Sequence, residues 1–262
     1  MMKLVRSAFT DIGDGIRMRR VWMALAQEDI GDQHRRTALG PAWLLINYLA
    51  FAGTFIVIFG QTAQSPDYPA YVAIGLFVFF YMIEVINLSV SLFTREESFI
   101  KGTTLPLTVY IMRMTAQSAI RACYAFAGCI ALLLLSGTPV TSFWLFSAVG
   151  LLLILLATPA AITVFATLGA FFPDMNFVVQ NITRLAIFLT PVFWVHQNEG
   201  GIRGIFYYWN PLTYFLEIVR VPVVAGEVPL RSFALCVGMT AVLWGLAIFC
   251  LGRFRKQIVF VL

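Results

Sequence analysis

The chain has 262 residues, 60% of them apolar and 12% charged, a formal charge of +5 and a mean hydropathy of +0.84. A soluble domain carries roughly 25% charged residues, so this composition excludes one and indicates an integral membrane protein. The excess of positive charge sits beside apolar runs, where membrane topology and anionic lipid explain it without nucleic acid.

Seven Lys/Arg fall in the first 36 residues: Lys3, Arg6, Arg17, Arg19, Arg20, Arg35 and Arg36. No cleavable signal peptide is evident, because charges and glycines interrupt Met1 to Asp14 before any useful apolar core. Met18, Val21, Trp22 and Leu25 recur at i, i+3, i+4 and i+7, which predicts an amphipathic helix over Arg17 to Ile30 at the inner surface. Periodicity alone leaves open whether it lies on lipid or docks on a partner. Residues 1–41 form a cytoplasmic segment on this reading.

The next 30 residues, Thr37 to Pro66, carry no charge, and about 20 apolar residues suffice to cross the hydrocarbon core. Span 1 is expected over 42–59, followed by an outer turn with Pro66, Asp67 and Pro69. Span 2 returns over 70–93, and Arg95 to Lys101 form an inner loop. The 52 uncharged residues between Arg121 and Asp174 are too many for one helix; Gly137 and Pro139 divide them into span 3 (109–135) and span 4 (143–171). Phe172 to Met175 form an inner turn, span 5 is expected over 177–195 and span 6 over 232–252, with a tail at 253–262.

Residues 196–231 are too apolar for a plain loop, but a seventh span there would hold Asn210, Pro211, Glu217, Arg220 and Pro222 and would export the basic tail. Short helices dipping in from the outer surface fit better. The result is an all-α, six-span polytopic protein with twelve Lys/Arg inside, three outside, and both termini cytoplasmic.

The chemistry inventory argues against an enzyme. His34 and His196 fall on opposite sides of the membrane, and no HExxH, GxSxG or GxxxxGK[ST] motif occurs. Cys123, Cys129, Cys236 and Cys250 lie inside apolar runs without paired spacing, as buried hydrophobes rather than metal ligands. No metal or cofactor is expected on this chain. Glu84, Arg121 and Arg184 lie within spans, with Arg113 nearer the inner edge. Helical rise puts Glu84 ~14 Å, Arg113 ~6 Å and Arg121 ~18 Å above the inner ends of their spans, so Glu84 can pair with Arg121 or, less well, with Arg113. A proton relay would require more than this one acid, which favours a fastening ion pair. Trp43, Asn47, Phe51, Phe55 and Phe59 recur every four residues along span 1. Such a stripe suits either helix packing or the C–H faces of sugar rings.

Four motifs in order carry a resemblance. They are Arg35-Arg36-Thr37-Ala38-Leu39-Gly40-Pro41-Ala42-Trp43 entering span 1, the loop Arg95 to Pro106, the turn Phe172-Pro173-Asp174-Met175, and Asn210-Pro211-Leu212-Thr213 followed by Arg220. Together they resemble the membrane subunit of ABC-type polysaccharide exporters, the Wzm-, KpsM- and TagG-like permeases. The resemblance implies an inner-membrane homodimer joined to two ATP-binding subunits, which would hold ATP and magnesium, exporting a lipid-linked glycan such as O-antigen, capsule or teichoic acid. It implies a conduit lined by Trp43, Asn47, Phe51, Phe55, Phe59, Arg184 and Phe188, and an outer gate of Tyr207, Tyr208, Trp209, Asn210, Pro211 and Arg220. It further implies motor coupling through Arg17, Arg20, Glu28, Arg95, Glu96, Glu97 and Lys101. The rival from another class is a secondary transporter or channel driven by an ion gradient, which would work without an ATPase.

Overall fold

The computed structural model describes residues 2–35, 37–63, 67–195 and 202–262; Arg36, Pro66 and His196, used above, lie outside them. The described residues form twelve α-helices: α1 (Met2–Arg17), α2 (Arg19–His34), α3 (Ala42–Ala63), α4 (Tyr68–Val90), α5 (Leu92–Arg95), α6 (Glu97–Gly102), α7 (Leu107–Leu135), α8 (Trp144–Phe171), α9 (Met175–Leu189), α10 (Ile202–Trp209), α11 (Pro211–Val224) and α12 (Leu230–Val261). Five of them, α3, α4, α7, α8 and α12, are long and apolar enough to cross a membrane, so the chain is an all-α, multi-pass membrane protein. Leu152 and Leu156 on α8, with Val237, Val242 and Phe249 on α12, face outward, a pattern that suits lipid rather than water.

The segment expected to cross over 177–195 is shorter. Helix α9 has 15 residues, about 22 Å at 1.5 Å per residue, against a core of roughly 30 Å. It stops because Pro191 disfavours helical backbone in the residue before it, and Thr190 is extended at φ −100°, ψ 139°. Residues 191–195 continue as irregular chain. At the other extreme, α12 runs unbroken through the basic tail to Val261.

Helix α4 is the centre of the bundle and packs against α3, α7, α8, α9 and α11. Its fit to α8 depends on Gly169, where a Cβ would overlap the carbonyl oxygen of Val90. Backbone cannot swing aside as a side chain does, so Gly169→Ala should destabilise the bundle by about 1–3 kcal/mol. The expected outcome is a lower melting midpoint of the purified protein in detergent.

Both chain ends lie on one side of the bundle, the terminal side. There α1 packs on α7 and α12, with Ala8, Asp11 and Gly15 buried. The Asp11 carboxylate accepts the backbone N–H of Thr108 at 3.0 Å and its hydroxyl at 2.7 Å, and lies 3.0 Å from Nε of Arg255. Asp11 thereby caps the start of α7 and ties both chain ends to it. Helix α1 breaks from α2 at Met18 (φ −80°, ψ 31°), so the amphipathic segment expected over Arg17 to Ile30 begins after this break. Of the expected face of Met18, Val21, Trp22 and Leu25, Val21 is exposed and Met18 lies at the break, whereas Trp22 and Leu25 turn inward together with Ala26 and Ile30, because α2 packs on α7 of the same chain.

Candidate functional site

The stripe on α3 is open along most of its length. Trp43, Asn47, Phe51 and Phe59 are exposed and Phe55 is half-buried. Phe51 stacks on Phe55 with ring centroids 6.5 Å apart, and Phe55 on Phe59 at 5.7 Å, within the range of favourable offset stacking. Phe188 of α9 joins this column through Phe193, which lies 5.2 Å from Phe55, 5.5 Å from Phe59 and, edge-on, 6.2 Å from Phe188. Sequence reasoning missed Phe193. Its signal is its place two residues after Pro191, in irregular chain that helical periodicity does not describe.

Two clefts flank the column. One of ≈ 530 Å³ lies between α4 and α9 and is lined by Phe51, Phe80, Asn87, Gln180, Thr183 and Arg184 among others. The second, of ≈ 340 Å³, brings Asn47, Glu84 and Arg121 to the same Phe51, Phe80 and Asn87. The Glu84 carboxylate pairs with Nε of Arg121, whose Nη2 donates to the Ser118 hydroxyl at 3.2 Å. The Thr183 hydroxyl donates to Asn87 Oδ1 at 2.9 Å, fastening α9 to α4. Rings and polar side chains thus share one face, which can receive a ligand with apolar C–H surfaces and a hydroxyl rim.

On the side opposite the chain ends, the broken top of α9 is held by a polar hub. Arg220 is buried; its Nη1 donates to the carbonyl of Pro191 at 2.7 Å and its Nη2 to that of Val192 at 3.3 Å, and it stacks 3.7 Å from the centroid of Tyr71. The Tyr71 hydroxyl donates to Trp194 O at 3.0 Å and that of Tyr68 to Phe193 O at 2.8 Å. Asn210 serves twice: its Oδ1 accepts the N–H of Leu212 at 3.0 Å to cap α11, and its Nδ2 donates to Thr190 at 2.7 Å. Pro211 occupies the first turn of α11, where its missing N–H costs nothing. The carboxylate of Glu217 accepts from Tyr207 and Ser232; burial, then this carboxylate, push the Tyr207 phenol above its ordinary pKa and keep it a neutral donor. Tyr208 and Trp209 face outward. The hub satisfies carbonyls that the helix break would orphan, and so fixes where Phe193 stands.

On the terminal side, Arg113 of α7 joins three elements. Its Nε and Nη2 donate to the two oxygens of Asp29 on α2, at 2.6 and 2.7 Å, and its Nη1 donates to Glu96, between α5 and α6, at 2.9 Å. Gln117 adds a further donor to Asp29. Arg17, Arg20, Glu28 and Arg95 are exposed. Glu97 and Lys101 pair with each other at 2.7 Å along α6. Glu96 is therefore engaged inside the chain rather than free to meet a partner. Arg113, weighed in sequence only as a second choice for Glu84, is the residue that connects α2 to the loop. Among the described residues no cluster of three His, Cys, Asp or Glu is placed to hold a metal.

Residues 20–224 match the profile of the ABC-2 type transporter family. The O-antigen export system permease protein RfbA of Klebsiella pneumoniae is 22% identical over 241 residues, covering 89% of this chain and 92% of that protein.

Proposed function

This chain belongs to the ABC-2 type transporter family, and from that premise we propose that it is the permease subunit of an ATP-driven exporter of lipid-linked polysaccharide, with O-antigen the first candidate and capsule or teichoic acid the alternatives. Two copies pair in the bacterial inner membrane, both termini face the cytoplasm, and two ATPase subunits dock on the terminal side. The family match supports an ABC ATPase as the motor, and the similarity to RfbA supports a glycan as cargo.

One observation carries the glycan reading: the column of Phe51, Phe55 and Phe59 continues through Phe193 to Phe188, beside the side chains of Asn47, Asn87, Gln180 and Thr183. Sugar rings slide over aromatic faces while their hydroxyls exchange hydrogen bonds among amides, each weak enough to release. A chain-like glycan passes along such a track in steps, with its lipid carrier left in the bilayer. Helix α9, too short to cross alone, and the linked pair α10 and α11 form the outer part of the path.

The triple variant F51A/F55A/F59A should lower glycan export at least tenfold, read as surface polysaccharide in cells lacking the native chain. Co-purification of the two copies and of the ATPase should be unchanged, because Phe51 and Phe59 are exposed and only the half-buried Phe55 gives up packing against the core. Undiminished export by this variant would reject the track.

A further inference from the structure

Arg184 is an exposed guanidinium on α9, nine residues above Met175 and so about 14 Å from the terminal-side end of that helix. Among the described residues it has no hydrogen-bond or ion-pair partner. A cation at that depth costs about 2.5–3.5 kcal/mol on insertion scales and marks a ligand path or a partner charge. Among the described residues no partner charge is offered. Of the chain's thirteen Asp and Glu, only Glu84 lies inside a membrane-crossing helix, and it is taken by Arg121. Glu217 in α11 is taken by Tyr207 and Ser232. A second copy related by a two-fold axis along the membrane normal presents the same acids at the same depths, so it has none to spare either. Asp174, at the start of α9, stays about 15 Å below Arg184 in either copy.

We propose that the α4–α9 cleft is an anion site for the phosphoryl group of a lipid, with Arg184 as its charged anchor. Asn87 and Gln180 line the same ≈ 530 Å³ space and supply amide donors to the remaining oxygens, while the Thr183 hydroxyl is spent on Asn87 Oδ1 and holds that amide in place. The charges of Glu84 and Arg121 in the adjoining cleft cancel, which leaves the combined space with one net positive charge. A guanidinium suits a phosphoryl group because its N–H fork matches two oxygens at once. The apolar surround of Phe51, Phe80 and Ile187 admits the hydrocarbon that carries the phosphate. This inference deepens the proposed function by naming the charged part of the cargo, and rests on that reading for the identity of the lipid.

The test uses the purified full chain in detergent and measures saturable retention of a polyprenyl monophosphate, with the uncharged polyprenol as control. Wild type should retain the phosphate probe and not the alcohol. Arg184→Gln should weaken retention about tenfold or more, the loss expected for one charge-assisted contact, and Arg184→Lys should restore much of it. Competition with phosphatidylglycerol separates the sources: if it displaces the probe poorly, the site prefers the carrier's phosphate. If it displaces the probe equally, the site takes any lipid phosphate, and the anion site still stands. Equal retention by Arg184→Gln, or equal retention of alcohol and phosphate, overturns the proposal. Because the assay needs neither ATP nor glycan export, it stands even if the F51A/F55A/F59A variant exports normally.

Discussion

Arg113→Ala should abolish glycan export while leaving the ATPase bound. The guanidinium is 16% exposed and its partners Asp29 and Glu96 are 24% and 17% exposed, so its removal leaves two partly buried carboxylates without their shared cation, Asp29 with only the Gln117 amide and Glu96 with only the more exposed Arg95 at 3.6 Å. Breaking a buried pair in this way costs about 3–5 kcal/mol, and residual solvent access puts this case toward the lower bound. Stability and coupling can be separated. Adding Asp29→Asn and Glu96→Gln to Arg113→Ala removes these charges and should recover most of the melting temperature. Export should stay at background, because α2 and the α5–α6 segment no longer move with α7. Arg113→Lys should give an intermediate result, since an ammonium cannot hold both Asp29 oxygens and Glu96 in one plane. The measurements are the melting midpoint in detergent, co-purification with the ATPase and surface polysaccharide in cells. Normal export by Arg113→Ala would show that the two terminal-side elements need no common hub.

The contrast between Arg113 and the long helices shows what a sequence of this kind discloses. Helices α3, α4, α7, α8 and α12 are legible because a bilayer imposes a one-dimensional rule, in which charge is absent for about 20 residues and present at the borders. Tertiary contacts obey no such rule. Helix α1 forms where Gly13 and Gly15 argue against a helix, because Gly15 lets α1 lie against the side chain of Thr108 and Asp11 caps α7. The end of α9 was signalled by Pro191, yet the apolar run to Val195 concealed that this piece leaves the helix to be gripped by Arg220. Depth arithmetic brings Glu84 to Arg121 because both lie on helices that start at known borders. The same arithmetic cannot bring Arg113 to Asp29, because the docking angle of α2 is set by packing. Phe193 escaped for a related reason: a ring in irregular chain has no period, and only the carbonyl contacts of its neighbours reveal that it is fixed.

Those contacts make Arg220 the residue whose loss should matter most on the outer side. Arg220→Met keeps the stem but strips the carbonyls of Pro191 and Val192 of their donors, each hydrogen bond to the charged group being worth about 1.5–3 kcal/mol. Part of this is offset because a buried guanidinium no longer has to be desolvated, so the fold should survive with a modest drop in melting temperature. The geometry should not. With Tyr71 and Tyr68 left to hold residues 193 and 194 alone, Phe193 should leave its place against Phe55 and Phe59, and the aromatic column should lose its bridge to α9. A short bifunctional thiol reagent reports this, since the rings of Phe59 and Phe193 lie 5.5 Å apart and their backbones stand within reach of such a linker: it should cross-link a F59C/F193C pair in the otherwise native chain and fail to do so with Arg220→Met, with export falling in parallel. Arg220→Lys should behave nearly as badly, because one ammonium cannot serve two carbonyls and stack on Tyr71 together. Gly75→Ala approaches the hub from the other wall. Its Cβ would meet the guanidinium and lie 2.8 Å from the carbonyl oxygen of Val192, so it should displace Phe193 with Arg220 still present. If Gly75→Ala and Arg220→Met both keep the cross-link and export, the hub is packing alone; if both lose them, the outer hub sets the width of the path through a single phenylalanine.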